Sequence, residues 1–139
     1  MRKDFDDKKY LSYLKIKMKT FYDSVDYVYC PVLKKYIYFN SVGFRHLRYK
    51  PDGTPRKNKE SIYKLKLLPL VISVIRKSTK IEQKREVLFR TKRGKKFKLK
   101  KAVTYSLVAK VGRRSILVRV IIIKIGDGKH VFYSVMKDK

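Results

Sequence analysis

The stretch at residues 95–111, KKFKLKKAVTYSLVAKV, decides the fold because its apolar and polar side chains alternate. Side chains of a β-strand point alternately to opposite faces, so this pattern predicts a strand with one face in the core and one in water. The apolar set is Phe97, Leu99, Val103, Tyr105, Leu107, Ala109 and Val111, and the polar set is Lys96, Lys98, Lys100, Thr104, Ser106 and Lys110.

Three further strand-like runs surround this stretch, at residues 81–91, 115–125 and 131–136. Short glycine-containing turns separate the four runs, at 92–94, 112–114 and 126–128. Successive strands joined by tight turns predict an antiparallel meander. The third strand should be the most buried, because from Val118 onward it is almost entirely β-branched.

The first half of the chain has a different periodicity. Residues 4–25 place apolar side chains at mostly three- and four-residue spacing, which predicts an amphipathic helix. Residues 27–40 contain two short aromatic and β-branched runs around Pro31, which predicts a hairpin. The pattern does not indicate which other element the hairpin packs against.

Two more helices are expected between the hairpin and the strands. Ser41 is a suitable N-cap for a short helix that reaches about Tyr49. Thr54 followed by Pro55 should start another helix at once, and Pro69 should kink or divide it.

Together these patterns predict an α+β fold in which N-terminal helices pack on one face of a four-stranded antiparallel meander. The 139 residues suit a single domain. Within it, residues 1–26 are expected to form a helical extension and residues 27–139 the core.

The charge of the chain points to a class of partner. Lys and Arg number 38 against 11 Asp and Glu, which leaves a net charge of +27 spread over the whole length. Such a field attracts polyanions and releases their counterions on binding. Nucleic acid is therefore the expected partner, and a membrane surface is the weaker alternative because no segment has a separate interfacial apolar face.

Several features favour a cytoplasmic location. The longest uncharged, mainly apolar run, residues 67–75, is far shorter than the roughly 20 residues that a membrane-spanning helix needs. The N-terminus, MRKDFDDKKY, lacks the apolar core of a signal peptide. Cys30 is the single cysteine, so no internal disulfide is possible, and we expect it to be buried.

The candidate chemistry centres on His46, in the segment YIYFNSVGFRHLRYKPDGTPR at residues 36–56. An unperturbed imidazole titrates near neutral pH and suits general acid or base catalysis. Arg45, Arg48, Lys50 and Arg56 flank it and are candidate phosphate ligands. The alternative, a half-buried helix histidine beside ordinary surface cations, stays open from the sequence.

The predicted sheet offers two more candidate cations. Arg119 interrupts the most apolar strand, and a buried cation requires an anion. That anion is either a phosphate in a cleft or a carboxylate on another strand, Glu82 or Glu86. Arg85 is a further candidate for contact with nucleic acid.

The remaining candidates are polar side chains on strands. Tyr105 belongs to the apolar parity and is expected in the core, unless it presents its hydroxyl to a site. Ser134 is expected to share a face of its strand with Phe132 and Met136, and it indicates either the edge of a cleft or a solvent-facing gap. His130 is expected to be a solvated loop residue.

Metal-dependent chemistry is not expected. With 2 histidines and no carboxylate-rich cluster of recognisable spacing, the chain lacks the pattern of a zinc or two-metal nuclease, and no cofactor is expected. Its glycines fit hairpin turns rather than a phosphate-binding loop, and no helix-turn-helix or zinc-finger pattern is evident.

Five segments resemble the barnase, EndoU, colicin and RelE-like (BECR) superfamily of ribonuclease toxins, in particular its phage and mobile-element branch. They are GFRHL at residues 43–47, the KPDGTPR loop, the helix after it, the four-stranded meander, and HVFYSV at 130–135. The resemblance covers about residues 28–135, and its motifs are of moderate specificity.

The resemblance implies metal-independent RNA cleavage in a cleft between helices and sheet. It assigns catalysis to His46, to Lys50 or Arg56, and to Ser134. In the ribonuclease hypothesis we expect Tyr105 or Ser134 to assist. Arg45, Arg48, Arg85 and Arg119 would then bind RNA. The chain departs from the EndoU pattern because it has no second histidine in the core of the sheet. Relatives of this kind are often neutralised by an acidic antitoxin or immunity protein.

Two other hypotheses remain. A non-catalytic RNA-binding or ribosome-associated protein requires only the lysines and aromatic residues. A DNA-binding or DNA-cleaving protein of a mobile element rests on charge alone.

Overall fold

The computed structural model describes residues 2–93 and 96–138, so the predicted turn at Gly94 lies outside the described residues. The described helices all precede the last four strands, and a short hairpin lies between the first and second helices, which confirms the α+β class. The helices are α1 (Arg2–Ser24), α2 (Ser41–His46), α3 (Asn58–Leu67) and α4 (Val71–Lys77). The strands are β1 (Tyr27–Cys30), β2 (Lys35–Tyr38), β3 (Ile81–Arg93), β4 (Lys96–Val111), β5 (Ile116–Ile125) and β6 (His130–Lys137).

The sheet is larger than the sequence predicted. The last four strands do pair antiparallel in consecutive order, but the sheet has six strands in the order β1-β2-β6-β5-β4-β3. The β1–β2 hairpin joins it through a parallel pairing of Tyr38 with Val131. The prediction of a four-stranded antiparallel sheet is therefore wrong, because the hairpin adds its two strands to the free edge of β6.

Two helix starts also differ from prediction. Asn40, rather than Ser41, caps α2: its side-chain oxygen accepts from the Val42 N–H at 3.0 Å. α2 ends at His46 instead of near Tyr49. Helix α3 begins at Asn58 rather than directly after Pro55.

The delay of α3 has a local cause. The Thr54 hydroxyl donates to Asp52 at 2.7 Å instead of capping a helix. The Arg56 N–H donates to the carbonyl of Arg48 at 2.8 Å, which closes the loop between α2 and α3. The division at Pro69 is confirmed, since a single 3-10 turn at Leu68–Leu70 separates α3 from α4.

The helices pack on one face of the sheet. α4 contacts β1, β4 and β5, and α1 lies against α3. Strand β5 contributes Val118, Val120 and Ile122, all 0% exposed, which fits its prediction as the most buried strand. Cys30 is also fully buried, as expected. Among the described residues, no helix is both long and apolar enough to span a membrane.

The first half of β4 contradicts the expected burial. Phe97 and Leu99 belong to the apolar parity, yet they are 55% and 61% exposed. The reason is that β3 and β4 extend as a two-stranded arm: β5 pairs with β4 only from Ala102 onward.

The outer edge of β6 is covered by helices rather than by a strand. β2 pairs with β6 at Val131 alone, which leaves the backbone groups further along β6 without a strand partner on that side. In α3, Tyr63 accepts from the Lys137 N–H at 2.6 Å and Lys64 donates to the Val135 carbonyl at 3.0 Å. α2 also contacts β6. Helix side chains therefore make hydrogen bonds to backbone groups of β6 that would otherwise lack a partner at this strand edge.

Candidate functional site

A groove of about 800 Å³ separates α2 and the loop after it from the β3–β4 arm. Basic and aromatic side chains dominate its lining. The α2 side contributes Arg45, His46, Tyr49 and Lys50, the arm contributes Leu88, Phe89, Arg90 and Phe97, and β6 contributes Tyr133.

Guanidinium groups lie over aromatic rings on both walls. The Arg45 guanidinium carbon is 4.7 Å from the ring centre of Tyr49, and that of Arg90 is 3.6 Å from the ring centre of Phe97. Such pairs hold planar cations beside flat apolar surfaces. The combination suits a ligand that carries both anionic groups and flat rings.

His46 faces the sheet. Its ring stacks on Tyr133, with centroids 4.1 Å apart and an interplanar angle of 23°, and Phe89 meets Tyr133 edge-on at 6.1 Å. Tyr133 is the extra residue of a β-bulge, since Ile121 pairs with Ser134 and Ile122 with Phe132. A bulge re-aims a side chain, and here it places an aromatic ring under the imidazole.

Arg56 connects His46 to an acidic partner. Its Nε donates to the backbone carbonyl of His46 at 2.9 Å, and its Nη2 lies 3.2 Å from His46 Nε2. Its Nη1 donates to Glu60, in an ion pair whose side chains are 8% and 38% exposed. Because a guanidinium only donates, Nε2 is the acceptor and the imidazole carries its proton on Nδ1.

Lys64 lies at the same end of the helix layer and is only 6% exposed. Its ammonium donates to Ser134 Oγ at 3.3 Å and to the Val135 carbonyl at 3.0 Å. In the described part of the chain it makes no ion pair with a carboxylate. A buried ammonium held by neutral acceptors alone is costly, which marks this position as unusual.

The electrostatics of the cluster lower two pKa values. Burial is the largest cause that lowers the pKa of His46, from 6.5 to about 4, and Arg56 and Lys64 lower it further. Burial likewise lowers the pKa of Lys64 from 10.5 to about 8, with a contribution from Arg56. At neutral pH the cluster therefore holds a neutral imidazole beside two cations, and Glu60 partly offsets their charge.

The structure brings most of the helix-side candidates together. His46, Lys50 and Arg45 line the groove, and Arg56 lies behind the imidazole. Arg48 lies 5.5 Å from the ring centre of Tyr49. Ser134 is 2% exposed and contacts the cluster through Lys64.

The other candidates lie elsewhere. Tyr105 packs against the main core on the helix face of the sheet, and it does not line the groove. Arg85 is exposed on β3, away from the groove lining. Arg119 donates to Asp138 at 3.0 Å. Its carboxylate partner in the structure is therefore Asp138, and not Glu82 or Glu86 of β3.

His130 is not a solvated loop residue as expected. It begins β6, is partly buried, and its ring centroid lies 5.6 Å from that of Tyr105. Burial lowers its pKa, and Lys124 and Lys35 contribute in the same direction. It does not line the groove, so the two histidines have separate surroundings.

Sequence reasoning missed Glu60, Lys64 and Tyr133. A signal for the first two existed: Arg56, Glu60 and Lys64 recur every four residues with alternating charge. That spacing is typical of a solvent-exposed helix face, so it does not by itself indicate a buried cluster. Tyr133 had no comparable signal, because its orientation depends on the bulge.

Within residues 2–93 and 96–138, no group of His, Cys, Asp and Glu side chains has the arrangement of a metal site. Comparison of the chain with protein-family models, with curated proteins and with solved structures found no match. The site must therefore be interpreted from its own chemistry.

Proposed function

We propose that this chain is an endoribonuclease that cleaves single-stranded RNA without a metal ion, as a toxin of the BECR type would. The observation that carries the proposal is the His46–Arg56–Glu60 chain beside Lys64, set against a cationic, aromatic-lined groove. Single-stranded nucleic acid binds such grooves through its phosphates and by stacking its bases on aromatic rings.

In the proposed reaction the 2′-hydroxyl attacks the adjacent phosphorus and the bond to the 5′-oxygen breaks. The products are a 2′,3′-cyclic phosphate and a 5′-hydroxyl end. Neutral His46 accepts the proton of the 2′-hydroxyl, and Arg45, whose side chain lines the groove, stabilises the charge that grows on the phosphorane. Arg56 lies behind the imidazole and orients it. Lys50 on the groove wall supplies the proton to the leaving oxygen.

The supporting side chains have positioning roles. Glu60 holds the Arg56 guanidinium, and Tyr133 fixes the plane of the imidazole. Burial and the Arg56 charge are the larger causes that keep His46 unprotonated, and Lys64, anchored by Ser134, adds to them. In this scheme Ser134 acts through Lys64 and does not touch the substrate.

A second candidate function is RNA binding without cleavage. One observation favours it: His46 Nε2 is occupied by Arg56, and a pKa of about 4 makes the imidazole a weak base. Binding alone needs only the cations and rings of the groove.

RNA cleavage in EDTA separates the two functions. We expect end-labelled single-stranded RNA to yield fragments with cyclic phosphate ends, and His46→Ala to lose at least about a hundredfold in rate, as is usual for a general base. His130→Ala is the matched control and should keep full activity, since its imidazole lies outside the groove. Intact RNA with the wild-type protein, bound at unchanged affinity by His46→Ala, would establish the second function instead.

Lys50 offers a finer test of the proton donor. Lys50→Arg keeps the positive charge but replaces a donor acid with one that does not deprotonate in proteins. We expect RNA affinity to persist while the cleavage rate falls. An unchanged rate would remove Lys50 from the scheme without affecting the role of His46.

A further inference from the structure

Four tyrosines of the β1–β2 hairpin form a ladder on the sheet face opposite the helices. The strand register pairs Tyr27 with Tyr38 and Tyr29 with Tyr36. The ring centroids of Tyr27 and Tyr36, and of Tyr29 and Tyr36, are 5.2 Å apart, and those of Tyr27 and Tyr38 are 5.6 Å apart. Tyr27, Tyr29 and Tyr36 are 55%, 45% and 51% exposed, so they offer ring surface to solvent.

Tyr38 packs against a small apolar cluster on its own face of the sheet. The other three tyrosines of the ladder belong to neither core cluster of the described residues. The alternate residues of the same strands, Val28, Cys30 and Ile37, are the ones that pack beneath the helices. The solvent face of an edge hairpin is ordinarily filled with polar side chains, so contiguous exposed rings there indicate an interaction surface.

The ladder continues into the groove. Tyr27 and Tyr38 line a second cavity of about 650 Å³, and Val42 lines both this cavity and the groove that contains His46. Val42, at the start of α2, therefore borders both spaces. A flexible chain that left the groove past this residue would come next to the cavity beside the tyrosines.

Charge at the ladder favours an anionic occupant. The Lys129 ammonium lies 4.2 Å from the ring centre of Tyr38, and Lys34 and Lys35 are exposed at the far end of the hairpin. Asp26 also lines the cavity, but the net charge of the whole chain is +27. A second copy of this chain would carry the same charge and be repelled.

We propose that the tyrosine ladder is a base-stacking exosite for single-stranded RNA, continuous with the groove at Val42. Bases stack on the exposed rings, while Lys129 and the hairpin lysines contact phosphates. The exosite rests on the proposed function for the identity of its ligand, but it does not depend on catalysis. It gives the protein a preference for RNA long enough to reach both surfaces.

The test compares two lengths of 2′-O-methyl RNA, which lacks the attacking hydroxyl and stays intact. An oligonucleotide of about four nucleotides fills the groove alone, and one of about twelve spans groove and ladder. Fluorescence anisotropy should show the longer one binding at least about tenfold more tightly, because each stacked base contributes on that scale. Tyr29→Ala/Tyr36→Ala should remove most of this advantage and leave the short oligonucleotide unaffected.

Tyr29→Phe/Tyr36→Phe is the matched control, since it keeps both rings and should keep the advantage. A second measurement needs no variant: 4-thiouridine in the longer RNA should photocrosslink wild-type protein within residues 27–38. An undiminished length advantage in the alanine variant, or crosslinks confined to the groove, would overturn the exosite. A change of oligomeric state in the alanine variant, with unchanged RNA affinity, would overturn it in favour of self-association.

Failure of the exosite and failure of the nuclease are distinguishable. The exosite is judged by length dependence with uncleavable RNA, and the nuclease by fragments from ordinary RNA with His46→Ala and His130→Ala. The length-dependence experiment can therefore fail while the cleavage experiment succeeds, and the reverse.

Discussion

The Nη2 atom of Arg56 lies 3.2 Å from Nε2 of His46, and this contact makes the imidazole an acceptor held by a cation. Protonation of Nε2 requires this contact to break, because the imidazole N–H and the guanidinium N–H would then both be donors. A phosphate bound in the groove would add negative charge near the imidazole and so raise the pKa of His46. We therefore expect an anionic ligand in the groove to make His46 a stronger base.

The first prediction concerns the pKa of His46. NMR titration should place it near 4 in the free protein, and Arg56→Gln should raise it by removing a nearby cation. The rise should stop short of 6.5, because burial is the larger cause and remains. The pKa of His130 serves as an internal control and should be the same in wild type and in Arg56→Gln. A wild-type pKa near 6.5 would contradict the burial of His46.

The second prediction follows from the same pKa by linkage. Between pH 6.5 and about 4 the unfolded chain binds a proton at His46 that the folded chain does not. Stability is therefore full above pH 6.5 and is lost as the pH falls through this window, by up to roughly 3 kcal/mol from this residue. Urea unfolding of His46→Gln should show a shallower loss than wild type over the same range. If the free energy of unfolding depends on pH equally in both proteins, His46 is solvated in the folded protein.

The third prediction concerns Lys64, whose folded pKa of about 8 lies below its ordinary 10.5. Between these values the unfolded chain holds more protons, so the free energy of unfolding should increase with pH by up to roughly 3 kcal/mol. Lys64→Met should lack this increase. Lys66→Met, which changes an exposed lysine on the same helix, should retain it. If the free energy of unfolding of Lys64→Met increases with pH as much as that of wild type, the Lys64 ammonium of the wild-type protein must be solvated.

The fourth prediction concerns salt. If Arg90 in the groove contacts a phosphate, Arg90→Gln should reduce the slope of log affinity against log salt by about 0.7 for single-stranded RNA. Arg119→Gln should leave the slope unchanged, because Arg119 is paired with Asp138 outside the groove. The slope is measured with 2′-O-methyl RNA from low to moderate salt. Equal reductions in both variants would indicate diffuse attraction by net charge.

Much of the fold was predictable because its signals are local. The alternation around Val103 and Leu107 and the position of Pro69 specify strands and a helix break directly. The extension of the sheet was not predictable in the same way. It depends on a single parallel pairing between Tyr38 and Val131, residues far apart in the chain, and no local pattern encodes which edge a hairpin joins.

The site was predictable in part for a related reason. His46 and its flanking cations stand out by residue type, and the structure does place His46 against the sheet. The burial of Lys64 is different, because it depends on the open edge of β6, where the Val135 carbonyl needs a donor. A lysine on a helix looks the same in sequence whether it meets water or a strand edge.

The fifth prediction concerns Gly43, which lets α2 approach β6. A Cβ atom there would lie 2.6 Å from Cδ2 of Phe132 and 2.8 Å from the hydroxyl of Tyr22, and it would also meet the Phe132 carbonyl oxygen. The Tyr22 hydroxyl is held by the Asn40 carbonyl at 2.5 Å, so it has little freedom to move. Gly43→Ala should therefore destabilise the fold by roughly 2 kcal/mol.

The same change should also weaken the site, because His46 is carried by α2 and stacks on Tyr133, the neighbour of Phe132. Moving the helix outward widens that stack and exposes the imidazole, so the pKa of His46 in Gly43→Ala should rise. Gly53→Ala is the control: Gly53 has a φ of +91° but no atom within 4 Å of a Cβ. It should cost only about 1 kcal/mol of backbone strain and leave the His46 pKa unchanged. Urea unfolding and NMR titration of both variants measure these effects, and equal pKa values would show that close packing of α2 on β6 does not control the imidazole.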